Sequence, residues 1–189
     1  MNSVSRFFRF VPLLGLLFGL LAFAGPGLKK TTVAKNLTMG VPDGFAPLPD
    51  EGIAAKYPAQ RRPLAVFASP NGQVGLSVSQ KPTNFSNRDY GMLLKIYKAS
   101  IQNMYGKVQF LREDIHTINK RDFVVLEFVS TVADNRRGGG NLAAIRKYQL
   151  VQYAIEGEQL YVFTFDAPAN EQAKWQPVAQ AAMESIVMK

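Results

Sequence analysis

The chain has 189 residues, 22 Lys and Arg against 14 Asp and Glu, one His and no Cys, for a formal net charge of +8. The lack of Cys excludes disulfides, thiolate nucleophiles and Cys-ligated zinc, and a lone His excludes an ordinary zinc site or a Cys-His pair. A composition that is 47% hydrophobic and 19% charged suits one domain with a core, and the basic excess favours an anionic partner or surface.

Arg6 and Arg9 precede the apolar run Val11–Ala24, which closes on Ala22-Phe23-Ala24. Small residues at these spacings before Gly25 make residues 1–24 a signal peptide, cleaved near Ala24-Gly25. As a helix the run reaches roughly 21 Å, short of the roughly 30 Å hydrocarbon core. The alternative is an uncleaved signal that anchors the chain in the inner membrane. Either way the expectation is an exported protein, periplasmic or secreted. The leader takes only Arg6 and Arg9 from the basic total, so the basic excess belongs to the folded part. Residues 25–36 show no periodicity and read as a flexible tether, with Lys29, Lys30 and Lys35 serving solubility.

Residues 37–189 read as one globular domain. Leu37 to Pro42 alternates weakly, and Pro42 restricts it to an edge-like strand before the Asp43-Gly44 turn. Asp50 to Tyr57 has an N-cap candidate and helical spacing, with Pro58 and Pro63 limiting it to about two turns. Leu64 to Ser69 and Val74 to Ser79 flank Pro70-Asn71-Gly72 and predict a hairpin, buried on its Val74, Leu76, Val78 side and small and polar on the other. From Arg88 to Tyr105, residues Tyr90, Leu93, Leu94, Tyr97, Ile101, Met104 and Tyr105 recur on one helical face, and Gly106 is the expected C-cap.

Lys107 to Ile118 predicts a strand whose alternation shifts near Leu111, which points to a bulge. Asn119-Lys120-Arg121 then turns the chain into three β-rich runs between Asp122 and Ala167. These are apolar on both faces and so need cover on both. Asn170 to Met188 predicts a closing helix with Trp175, Val178, Ala179, Ala182 and Ile186 as its stripe, regular from about Trp175 because of Pro177. The resulting fold class is α+β: an antiparallel sheet of about six or seven strands with helices on both faces.

The opening Val41-Pro42-Asp43-Gly44-Phe45 and the closing Phe163-Thr164-Phe165-Asp166-Ala167-Pro168 before a Trp-bearing helix resemble a known group. It is the α/β/α sandwich superfamily of the photosystem II extrinsic protein PsbP, the bacterial protein DcrB and the yeast Ran-binding import factor. The resemblance covers residues 37 to 189, with Phe45 standing where Trp is usual. It implies a protein that binds partners and mostly lacks catalysis, and it transfers no site residues.

Little in the sequence carries chemistry. His116 is read as a surface or rim residue. Glu127, an acid in an apolar strand, is read as paired with Arg146 or Lys147 across the sheet. Gly138-Gly139-Gly140 after Arg136-Arg137 has no Walker or dinucleotide spacing, so a hairpin loop is the reading. The basic doublets Arg61-Arg62 and Arg136-Arg137 are the candidates for an anion- or partner-binding patch. No catalytic residue, metal or cofactor is expected. Nucleic acid is not, because the aromatics serve the core and the leader points outward. The leading expectation is an exported, non-enzymatic binding or accessory protein, contacting another envelope or secreted protein or an anionic surface, with weak membrane association open. Two alternatives are a carrier with an apolar pocket between the Tyr90–Tyr105 helix and the sheet, and a hydrolase using Glu127 or Asp166 as base.

Overall fold

The structure, a computed structural model, describes residues 27–56, 62–86, 88–132 and 144–189. The expected signal peptide, its cleavage site and the triple-glycine loop lie outside these residues.

Two sheets organise the described residues. The large one has seven antiparallel strands in the order β3-β4-β5-β9-β8-β7-β6. In chain order these are β3 (Ala46–Pro47), β4 (Ala65–Ala68), β5 (Gly75–Pro82), β6 (Lys107–Ile118), β7 (Arg121–Val132), β8 (Ile145–Glu156) and β9 (Gln159–Pro168). The small one joins β1 (Leu28–Ala34), β2 (Leu37–Pro42) and β10 (Val187–Met188) in the order β1-β2-β10. The helices are α1 (Asp50–Lys56), α2 (Tyr90–Met104) and α3 (Gln172–Glu184).

Alternation along β7 explains the layering. Val124, Leu126 and Phe128 face α2 and join Leu93, Ile101, Val151 and Tyr153 in one core. Phe123 and Val125 face the other way and join Met39, Val41, Phe163, Phe165, Ala179 and Met183 under β2 and α3. Because successive strand side chains point to opposite faces, a strand apolar on both must be covered on both. The sandwich expected from the sequence is the one formed.

The β6–β7 register shifts between Phe110 and Arg112, at the bulge the sequence indicated. The two residues between these strands, Asn119 and Lys120, have φ of 49° and 68°, the left-handed pair that a tight hairpin turn requires. In the β4–β5 turn, φ is positive at Gly72 but not at Asn71, and the Ser69 hydroxyl ties the loop by donating to Asn71 Oδ1 at 2.7 Å.

Four expectations are corrected. Residues 28–34 are not a tether but strand β1, paired with β2 from Leu28↔Pro42 onward. The closing helix stops at Glu184, and Val187–Met188 turn into β10, pairing with β2. Pro177 sits inside α3 rather than in its first turn. Finally, α2 ends at Met104 with Tyr105 already extended, so no left-handed Gly106 caps it. The end of α3 lies close on β2: the Gly40 N–H donates to Ser185 Oγ at 2.6 Å, and a Cβ on Gly40 would lie 3.0 Å from that oxygen.

Candidate functional site

Of the four arginines put forward as an anion patch, Arg62 is exposed just before β4. Arg61, Arg136 and Arg137 lie outside the described residues, so the grouping stays an expectation.

Glu127 is 1% exposed on the α3 side of β7. Its partners are not the expected Arg146 or Lys147. The register sets Leu150 and Arg112 beside Glu127, and it sets Arg146 opposite Thr131 and Lys147 opposite Ser130, too far along the strand. Arg112 turns instead to Asp114 at 3.2 Å. Three neutral donors hold the carboxylate: the Tyr148 hydroxyl at 2.8 Å, Gln176 Nε2 at 2.7 Å and Gln180 Nε2 at 3.2 Å. Burial, then the Glu127 charge and hydrogen bond, push the Tyr148 phenol well above its ordinary range. Since Gln176 and Gln180 stand one turn apart on α3, the cluster fixes how that helix sits on the sheet.

Asp166, the other acid named as a base, is opposite Gln149, whereas Glu127 is opposite Leu150. The two carboxylates therefore point to opposite faces and cannot act on one substrate atom. Asp166 is 3.5 Å from Lys147 Nζ. His116 is on the rim, 3.3 Å from Glu184. Among the described residues, no group of three or more acids and His could hold a metal ion, and no helix is long and apolar enough to cross a membrane.

The space under α2, where a carrier pocket was considered, is filled by the protein's own side chains. Tyr97 stacks on Tyr153 with ring centres 4.0 Å apart, and the Ile155 N–H donates to the Tyr90 hydroxyl at 3.0 Å.

A cleft of about 400 Å³ opens elsewhere, between β1 and the β3–β4 corner. One wall is the strand Lys29-Lys30-Thr31-Thr32, and the apolar floor includes Val41, Phe45, Pro47 and Phe67. Phe45 is pinned from below by Phe165 at 6.3 Å and by the edge of Trp175 at 5.7 Å. Asp43 closes one end beside Gly27, where a Cβ would meet its carboxylate. The Lys29 ammonium and Thr31 hydroxyl on the floor side of the strand, with Lys30 and Thr32 on its other face, suit an anionic, partly apolar ligand. Sequence reasoning passed over Lys29 and Lys30 because it took their segment for a tether. The β-branched run Thr31-Thr32-Val33 was the available signal.

A seven-stranded antiparallel sheet, covered by α2 on one face and by α3 with a small sheet on the other, is the fold of the PsbP- and Mog1-like proteins. Among solved structures, cyanobacterial PsbP (CyanoP) from Synechocystis sp. PCC 6803 is similar at 15% identity and a TM-score of 0.56, over 93% of this chain and 99% of that one. The Ran-binding protein Mog1p of Saccharomyces cerevisiae is similar at 14% identity and a TM-score of 0.53, over 86% and 96%. LpqN of Mycobacterium tuberculosis, involved in cell envelope biogenesis, follows at 15% and 0.51, over 88% and 87%. At these identities the likeness is one of fold. No family model matches the sequence, and no curated protein matches it.

Proposed function

We propose that the chain is an exported, non-enzymatic accessory protein that works by binding another envelope or secreted protein, or an anionic envelope surface. The observation that carries this reading is the β1 cleft, where Lys29 stands over an apolar floor and Lys30 lines the same wall from the strand's other face. The leader-like N-terminus and the net charge of +8 support it. So does a fold shared with a Ran-binding protein and with a protein of cell envelope biogenesis. The two acids that a hydrolase would need lie on opposite faces of the sheet, which favours contact over turnover. The test uses the purified chain from Gly25 onward as bait in envelope extract, at low and high salt. A partner held at low salt and released at high salt is expected, because charge contacts at an exposed cleft are screened. Recovery of nothing at either salt would sink the proposal.

A further inference from the structure

We infer that the free edge of β1 takes up an extended peptide of alternating apolar and acidic residues, as a fourth strand of the small sheet. This rests on the binding reading above and names the chemistry of the partner.

The register supplies the first argument. Asp43 donates its N–H to the Gly27 carbonyl at 3.0 Å, which places 27 and 43 at a hydrogen-bonded position of the antiparallel ladder. Such positions alternate, so Lys29 and Thr31 bond to Val41 and Met39, while Leu28, Lys30 and Thr32 direct N–H and C=O away from β2. Since β1 is outermost in its sheet among the described residues, those groups form an edge without a strand partner there, and that edge is a wall of the cleft.

Side-chain directions supply the second. Lys29 and Thr31 share a face with Val41 and Met39, the face turned to the apolar floor. Lys30 and Thr32 share the opposite face with Gly40 and Thr38. A strand laid along this edge would set alternate side chains over Phe67 and Pro47, and the others beside Lys30. The first set calls for apolar residues and the second for carboxylates.

Comparison with the other sheet edges favours β1. Strand β3 offers two residues, one of them Pro47. The β6 edge is longer but bears Arg112, Glu113 and Asp114 beside a bulge, devices that oppose pairing. A second copy would bring its own lysines against Lys29 and Lys30, whereas an acidic strand sets carboxylates beside Lys30.

The test measures binding of synthetic six-residue peptides by chemical-shift changes on the isotope-labelled chain from Gly25 onward. An alternating Leu/Glu peptide should bind with shifts across Leu28–Val33, and a Leu/Lys peptide should not. Thr32→Pro removes one outward N–H, which an edge strand tolerates, and should weaken the Leu/Glu peptide about tenfold. Lys30→Glu should exchange the preference, so that Leu/Lys binds and Leu/Glu does not. This keeps the inference open to refutation should the proline variant fail to fold. Unchanged binding in both variants would overturn it. So would shifts confined to Lys107–Ile118, or binding of phosphatidylglycerol vesicles without binding of the peptide. A partner still captured salt-sensitively from envelope extract after either of those results would leave the binding reading standing and remove only this one.

Discussion

The Tyr148 hydroxyl donates to the Glu127 carboxylate at 2.8 Å, in a layer where the two residues are 0% and 1% exposed. At that burial, bulk solvent does not readily replace a lost donor. Tyr148→Phe should therefore destabilise the protein by roughly 1–3 kcal/mol, the cost of leaving a buried acceptor short of a partner. Urea unfolding of the variant checks this, with an unchanged slope showing that the native fold is retained.

The same burial sets an alkaline limit. Tyr90, Tyr148 and Tyr153 are all raised from an ordinary phenol value of 10.0, in each case chiefly by burial. Above that value the unfolded chain releases protons that the native chain keeps. The native state then binds more protons, so stability falls as pH rises. It is intact below pH 10 and is lost progressively above it, at up to about 1.4 kcal/mol per pH unit for each tyrosine. Urea midpoints between pH 9 and 11.5 should decline accordingly. Tyr148→Phe, although less stable at pH 9, should show a shallower decline by one proton.

What the sequence could disclose follows from the range of each signal. The two-faced apolar run Val124–Val129 required cover on both sides, and the Tyr90-to-Ile101 spacing required a helix. Both are local patterns, and both formed. Strand β1 had no such pattern: as an edge its side chains Lys29, Lys30 and Thr32 all reach solvent, so alternation is blurred where the cleft is built. Glu127 looked as though it needed a nearby cation. Its actual donors Gln176 and Gln180 stand about fifty positions later on a helix, and no periodicity links a strand residue to a helix that far along the chain. Strand β10 is two residues long, too short to show alternation after a helical run.

The β6–β7 turn carries a correctable strain. Lys120 has a φ of 68°, a conformation that glycine adopts freely and a residue with a Cβ does not. Asn-Gly is the preferred pair for such a turn, and Asn119 already anchors it by donating to the Ile186 carbonyl at 2.7 Å. Lys120→Gly should therefore raise stability by about 1 kcal/mol despite glycine's greater unfolded-state freedom. A thermal midpoint higher by a few degrees is the expected reading. A lower midpoint would mean that the Lys120 side chain contributes more than its backbone costs.

Under α2 the Tyr90 hydroxyl joins helix to sheet. The Ile155 N–H, near the end of β8, donates to the Tyr90 hydroxyl at 3.0 Å, and Tyr90 itself is buried in the first turn of α2. Tyr90→Phe keeps the ring and its packing but leaves that N–H without a partner, at a cost of roughly 1–3 kcal/mol. Leu93→Ala, three residues on and 0% exposed, removes packing instead and should cost about 2–5 kcal/mol. Hydrogen exchange separates the two mechanisms. The Ile155 amide should lose protection far beyond the global destabilisation in Tyr90→Phe, because its acceptor is gone, but only in step with global stability in Leu93→Ala. Equal loss in both variants would show that the tyrosine acts through its ring alone and that the hydroxyl contributes nothing to the junction.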